Sequence, residues 1–480
     1  MLNYVLTPLV TYVLHTKKGQ AEFGEYSMFL SAISFLNVVY SYGMETGYFR
    51  FSSNGSDKRK LFQTAFGSIL VSTIVFSAVL FGFRQYFADY LKLGNHPEYI
   101  IWCIGVVAID ALSIIPFARL RQEERPRKYA FTKVAGIFVN ILLTIFFIYY
   151  SPVYVLSHPT SAYTQWYHQY TGPGFLILSL LAQAAVTFLL LYKEWGSFRF
   201  QFDGDLWKKI IVYASPMIII GLGGMVNETF DRIMLGRMFV GTDEAAKQAV
   251  GIYSGNYKIA IFITLFVQAF KMSAEPFFFS QSGDKNAPKT YARVLKWFVI
   301  TLCVAFLFSS LYLDIWKHFN PESYWSGLGV VPILLAANIA LGIYYNLSVW
   351  YKITDRMRMG IYITLMGATI TLIINYAFIP RFGMYACAWA TLAAYGTMMV
   401  VSYILGQKYF PVPYARKKLM NYMVVMFLLY FVQQGIGHFT ENLIIRLLSA
   451  TFLMLLFLRL VAEVEKKELV GMPVIGKYLK

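Results

Sequence analysis

Apolar stretches of about twenty residues, the length at which a helix crosses a bilayer, recur along this whole chain between short charged connections. In hydrocarbon a single segment can satisfy its own backbone only as a helix. The stretches fall at approximately 26–49, 61–83, 99–118, 129–150, 173–192, 210–235, 251–279, 291–313, 328–351, 359–379, 384–405, 419–437 and 443–461. Met1–Leu14 is apolar but shorter, with neither the basic start nor the small-residue cleavage site of a signal peptide, and reads as a first helix clipped by a late start. The expectation is an all-α polytopic membrane protein with about 14 transmembrane helices.

Charge placement tests that count. Of 42 Lys and Arg, 29 lie in or beside alternate connections, 10 in or beside the others with Arg232 counted among these, and Lys133, Lys258 and Lys271 fall well inside spans. One helix missed or invented would invert every connection after it, so the bias supports the series and sets both termini in the cytoplasm. The net charge of +17 is therefore an orientation signal spread over many loops, not a basic face for nucleic acid. Cys103, Cys303 and Cys387 stand singly in apolar segments, and the six histidines show no ligand spacing, which argues against a disulfide framework or a metal site. The chain has no GxxxxGK[ST], GxSxG or HExxH, so neither ATP-driven pumping nor a familiar hydrolase is supported and the expectation is no enzyme. The longest outward connection, Ser151–Gly172, is rich in Tyr and Trp and carries no charge apart from His158 and His168, a composition suited to interfacial anchoring.

An internal duplication turns the series into an architecture. EFGEYS at Glu22–Ser27 and AVGIYS at Ala249–Ser254 share G-x-Y-S at a separation of 227 residues. RQEERPRKYAFTKVAG from Arg121 aligns with KITDRMRMGIYITLMG from Lys352 at a separation of 231, matching Arg121 with Lys352, Glu124 with Asp355, Arg125 with Arg356, Arg127 with Arg358 and Gly136 with Gly367. The reading is two six-helix pseudo-symmetric lobes, 1–192 and 210–405, joined by a cytoplasmic linker 193–209. Two appended helices follow at 406–461 and a cytoplasmic tail at 462–480. Lobes with an even number of helices are related by an axis along the membrane normal, and in such transporters the substrate site lies between the halves.

Nine charged residues interrupt the spans: Lys133, Arg232, Lys258, Lys271, Glu45, Asp110, Glu228, Asp231 and Glu275. At about 3 kcal/mol each against lipid they would outweigh a typical fold's stability, so most must pair or line a watery lumen. Lys271 and Glu275 share a helix face and read as an intrahelical pair. Lys258 is either a ligand contact or a snorkelling lysine, and Lys133 lies near a helix end where it too can snorkel. Glu45 either pairs with Arg50 or takes a coupling ion, and Asp110 is a second isolated acid. In Asn227–Arg232, NETFDR, Glu228 shares a face with Arg232 and Asn227 with Asp231, which fits either an interhelical polar clamp or a site. The substrate-binding candidates are Lys258, Arg232, Arg50 and Asn227, and the ion-coupling candidates are Glu45, Asp110, Glu228 and Asp231. The GxxxG pairs Gly43/Gly47 and Gly251/Gly255 read as close helix packing.

PLVTYVL followed by EFGEYS, GMETGYFRF at the end of helix two, and FDRIMLG followed by AVGIYS carry a resemblance over residues 1–405. The chain resembles the polysaccharide transporter family, the O-antigen or lipid-linked oligosaccharide flippases, of the multidrug/oligosaccharidyl-lipid/polysaccharide exporter (MOP) superfamily. Its last two helices are similar to those of fourteen-helix members, including lipid II flippases. The resemblance implies a multi-pass protein of the bacterial inner membrane that flips polyprenyl-pyrophosphate-linked oligosaccharide outward for surface polysaccharide such as lipopolysaccharide. Lys258 matches the region where relatives place a cavity cation, whereas helix one lacks the basic residues that lipid II flippases carry there. No cofactor is implied beyond coupling to a proton or Na⁺ gradient. The partners implied are lipid-linked oligosaccharide, membrane lipids and other polysaccharide-assembly proteins. A multidrug/cation antiporter of the same superfamily, which would favour an acidic lumen, is the alternative. A membrane polysaccharide polymerase or ligase would need catalytic residues on an outward loop, where this chain offers only Ser151–Gly172.

Overall fold

The structure, a computed structural model, describes residues 2–53, 57–91, 96–281, 284, 286–354 and 356–470, and the side chains of these apart from 2–6, 53, 262, 272, 273, 275, 276 and 279–281. The expected partner Glu275 and the repeat position Asp355 therefore lie outside the described side chains. Every regular element among the described residues is helical. In chain order the main helices are α1 (Leu2–Val13), α2 (Lys17–Ser41), α3 (Met44–Ser53), α4 (Lys58–Gly82) and α5 (Glu98–Gln122). Next come α6 (Pro126–Ser157), with a π turn at Phe146–Tyr150, then α7 (Gly172–Leu190), α8 (Gly204–Glu228), α9 (Phe230–Met238) and α10 (Asp243–Gln281). The chain continues with α11 (Ala287–Leu311), α12 (Val330–Ile353), α13 (Met357–Phe382), α14 (Met384–Tyr409), α15 (Arg416–Phe439), α16 (Leu443–Val464) and α17 (Lys466–Val470). Among the described residues eleven helices are long and apolar enough to cross a membrane, and thirteen when α2 with α3 and the two segments of α10 each count as one span. With 12 residues, α1 is shorter than a crossing.

Short polar residues at the edges of the apolar runs start these helices. Thr16 accepts the Gly19 N–H at 3.1 Å, Asp57 those of Arg59 and Lys60 at 2.9 and 3.3 Å, Asp203 that of Leu206 at 2.9 Å, and Asn442 that of Ile444 at 2.9 Å, each supplying an acceptor to a helix N-terminus. The span expected as one straight helix to residue 49 instead bends by 41° between α2 and α3. Tyr42 and Gly43 are left-handed there, with φ of 32° and 72°, a conformation that glycine adopts without penalty. The bend lays α3 on α8: a Cβ on Gly43 would stand 2.9 Å from the Ala214 carbonyl oxygen, and one on Gly47 2.6 Å from Ile210 Cγ2. The second aligned repeat shows the same local geometry twice. Arg125 donates its N–H to the Leu120 carbonyl at 3.0 Å, and Arg356 donates to Tyr351 at 2.8 Å, six-to-one bonds that close a helix end at the 231-residue separation.

The chain forms two compact units, residues 1–255 with 364–390, and residues 256–363 with 391–480. The first packs around Phe29, Tyr40, Tyr48 and Tyr99, all fully buried. Near its Lys- and Arg-rich connections the buried Glu194 takes Lys128 at 2.6 Å and Arg125 at 3.1 Å. In the second, Asn256 donates to the Tyr324 carbonyl at 2.8 Å and Asn338 to the Ala260 carbonyl at 3.2 Å, while Phe270 and Phe298 stack at 3.9 Å between α10 and α11.

An ionic cluster ties the last helices into this second unit. Lys296 of α11 bonds Glu465 at 2.5 Å and Glu468 at 2.7 Å; Lys418 and Tyr422 of α15 reach Glu465 at 3.0 and 2.8 Å, and the Trp297 indole donates to Glu468 at 3.0 Å. Burial pushes both carboxyls upward, but these donors prevail and hold Glu465 and Glu468 below the ordinary 4.5. A carboxyl depressed in the folded state stabilises above its unfolded value, and that contribution fades as pH falls through the folded value. Thermal melting of the purified protein is therefore expected to be flat from pH 7 to about 5 and to decline below the unfolded value. Lys296→Met should lower the plateau and flatten the acid decline; an unchanged acid profile would show that the cluster does not hold α15 and α16.

Candidate functional site

The candidate residues sort into three places in the first unit, with Lys258 in the second. The richest place is the break between α8 and α9. At Thr229, φ −133° and ψ −20° interrupt the helix. The Glu228 carbonyl receives the Arg232 Nη1 at 2.8 Å. The same guanidinium nitrogen lies 3.0 Å from Asp231 Oδ1, which also accepts the Arg232 backbone N–H at 2.8 Å. Tyr253 of α10 donates to Asp231 Oδ2 at 2.6 Å, and its ring lies 5.7 Å from the Arg232 guanidinium. Asn227 accepts the Thr371 hydroxyl of α13 at 2.8 Å. Asp231, Arg232 and Asn227 are buried and Glu228 half-buried. Glu228 thus meets Arg232 through the glutamate's backbone oxygen.

A second place was not among the candidates. At the junction of α2 and α10, Gly24 and Gly251, the glycines of the two G-x-Y-S segments, meet backbone to backbone. A Cβ on Gly24 would overlap the Lys247 carbonyl oxygen, and one on Gly251 the Gln20 carbonyl oxygen. Around this contact Lys247 pairs with Glu25 at 2.7 Å and Gln248 donates to Gln20 at 2.6 Å. Glu25 and Lys247 escaped the sequence reading because each sits near the polar end of its span, where a charge raises no alarm. The repeated glycines and Tyr253 were the available signal.

The remaining candidates are separate. Glu45 pairs with Arg121 of α5 instead of Arg50, whose guanidinium lies 5.8 Å from the Tyr213 ring at an exposed position. The Arg121 guanidinium also covers the Phe49 and Tyr129 rings at 4.8 and 5.7 Å, so the bend at Gly43 and the end of α5 converge on one ion pair. Asp110 has Asn37 of α2 as hydrogen-bond neighbour and Lys133 as its nearby cation, and that lysine lies 4.2 Å over Phe117. In the second unit Lys258 is half-buried between the buried Tyr257 and Ile259, and Lys271 lies 4.5 Å over Tyr345.

Chemically, the Asp231 site is a carboxylate held by a guanidinium and a phenol inside apolar spans. The carboxylate thus ties Arg232 of its own helix to Tyr253 of α10, so a change at Asp231 reaches the contact between the two helices. The α2–α10 junction is of the opposite kind, a backbone contact between small residues that gains little from burial and separates without exposing a large apolar face.

The polysaccharide biosynthesis protein family matches residues 1–281. Among solved structures the chain is similar to the lipid II flippase MurJ in an inward closed conformation, with a TM-score of 0.72 and 14% identity over 96% of this chain and 97% of that one. It is also similar to a multidrug resistance MATE family transporter of the MOP superfamily in an inward-facing conformation, with a TM-score of 0.63 and 12% identity over 85% of this chain and 93% of that one. A Vibrio cholerae MATE transporter matches with a TM-score of 0.54 and 12% identity over 84% of this chain and 97% of that one. At such identities the likeness is one of fold. No curated protein sequence matches the chain.

Proposed function

Because the chain belongs to the polysaccharide biosynthesis protein family, we propose that it translocates polyprenyl-(pyro)phosphate-linked oligosaccharide across the bacterial inner membrane. It does so without making or breaking covalent bonds, by alternating access, with both termini cytoplasmic. The observation that carries this reading is the glycine contact of α2 with α10, where repeat-related residues 227 apart in sequence close on each other. By the charge of the connections this contact lies toward the outward ends of its helices. Opening it exposes the pathway outward, and the Glu25–Lys247 pair favours closure.

The cation candidates for the phosphate-bearing head of the cargo are Lys258 and Arg232, since charge-assisted bonds from cations are the strong ones for phosphate. Asn227 and Arg50 offer further contacts. Coupling to H⁺ or Na⁺ runs through Asp231, whose carboxylate holds Arg232, with Glu228, Asp110 and Glu45 as the other acids available. Other polysaccharide-assembly proteins would supply and remove the cargo. In a strain lacking this protein, surface polysaccharide should disappear and lipid-linked precursor accumulate inside. Wild type should restore export, and Lys258→Ala should not, at equal protein level in the membrane. Surface polysaccharide left intact in the deletion strain, with new drug sensitivity, would overturn the reading in favour of an antiporter; undiminished export by Lys258→Ala would remove Lys258 alone.

A further inference from the structure

The first unit contains a cavity of about 500 Å³ that none of the transport candidates lines. It lies at the Lys- and Arg-rich ends of α4 and α5, closed over by the connection that follows α7. Its lining includes Lys58, Arg59, Arg119, Arg199, Gln122 and Glu123. The charges do not cancel. Glu123 is engaged by Arg119 at 2.7 Å and by Arg125 at 3.3 Å, so the one acid neutralises one cation. Lys58, Arg59 and Arg199 make no ion pair among the described residues.

The walls are fixed, as a binding site requires. Gln63 donates to the Ser197 carbonyl at 3.1 Å and accepts the Arg199 backbone N–H at 2.6 Å, which pins the connection onto α4. Arg119 donates to Ser197 Oγ at 2.7 Å and to the Glu194 carbonyl at 3.1 Å, while its guanidinium covers Phe62 at 5.0 Å. One further donor is left over. Gln122 accepts the Tyr48 hydroxyl at 2.8 Å through Oε1, which fixes the amide, yet its Nε2 is buried without a partner. A buried N–H group without a partner carries an unmet desolvation penalty, which an acceptor would relieve.

We propose that this cavity binds a diphosphate, with Arg59, Arg199 and Lys58 on its oxygens and Gln122 Nε2 as the neutral donor. Three uncompensated cations plus an orphan amide N–H form a set of donors alone, which suits an oxyanion with many acceptor oxygens. A single phosphate would leave part of that set unused. The site lies at the interface by its charge, so the diphosphate can arrive free or as the head of a lipid. The proposal concerns this cavity and stands whether or not the transport reading holds, because it predicts binding by purified protein.

The test uses the full chain in neutral detergent, titrated with inorganic pyrophosphate, orthophosphate, farnesyl diphosphate and phosphatidylglycerol while melting and calorimetry are followed. Pyrophosphate should bind about tenfold more tightly than orthophosphate, and the double variant Arg59→Gln/Arg199→Gln should weaken it by about a hundredfold, taking each charge-assisted contact as roughly a tenfold effect. Gln122→Leu, which removes the orphan donor without changing charge, should weaken it several-fold. Lys208→Gln/Lys209→Gln, which removes the same charge from the nearby start of α8, should bind as wild type. Farnesyl diphosphate binding more tightly than pyrophosphate would assign a lipid head, and equal binding a free diphosphate; either supports the site. Equal loss in the Lys208/Lys209 control, binding unchanged by Arg59→Gln/Arg199→Gln, or a preference for phosphatidylglycerol over both diphosphates would overturn it.

Discussion

Gly24→Ala is expected to reduce export of the lipid-linked cargo by about fivefold to 150-fold, the balance shift that about 1–3 kcal/mol of overpacking produces. The reason is local. The added methyl would overlap the Lys247 carbonyl oxygen, which belongs to the backbone of α10 and has no rotamer to escape through. The helices must part, and parting also stretches the Glu25–Lys247 and Gln20–Gln248 bonds. Gly251→Ala meets the Gln20 carbonyl oxygen from the other side and should give the same phenotype. Accessibility of Gln20→Cys to a membrane-impermeant thiol reagent measures the parting directly. Full export in Gly24→Ala, with Gln20→Cys unreactive, would show that the contact tolerates a side chain and carries no gate.

Asp231→Ala should destabilise the first unit by about 3–5 kcal/mol, the cost of leaving a buried ion without its partner. Arg232 would lose its carboxylate contact at 3.0 Å, and Tyr253 the acceptor of its 2.6 Å hydrogen bond. Tyr253→Phe removes one bond to a charged group and keeps the pair, so it should cost about 1.5–3 kcal/mol. Thermal melting in detergent reads both. Asp231→Asn is the informative third variant: it keeps the shape, and under the coupling role it should fold yet lose dependence on the ion gradient. Equal melting of Asp231→Ala and wild type would mean that Arg232 is held by other groups.

The helices were legible because lipid enforces one rule on every span, although the expected count of about fourteen compares with eleven spans, or thirteen with each bent pair counted as one, among the described residues. Their breaks were less so. The bend at Gly43 depends on a backbone φ that the sequence marks only with a glycine, and the same residue also reads as packing. The repeat was visible as G-x-Y-S, but not that Gly24 and Gly251 touch, since equivalence in sequence says nothing about contact. Asn227, Glu228, Asp231 and Arg232 were recognisable as buried charge with an amide beside it. Their partners Tyr253 and Thr371 come from helices far along the chain, and uncharged residues in an apolar run give no warning. Glu45 went to Arg121 and not to the nearer Arg50 because the bend turns α3 toward the end of α5.

The account rests on the α2–α10 contact opening and closing in each transport cycle. A Gln20→Cys/Gln248→Cys pair places two thiols where the side chains now hydrogen-bond at 2.6 Å, while the native Cys103, Cys303 and Cys387 are buried. Oxidising that pair should stop flipping of lipid-linked oligosaccharide in proteoliposomes, and reduction should restore it, with each single variant unaffected by either treatment. Flipping that continues undiminished through a fully formed cross-link would contradict the account.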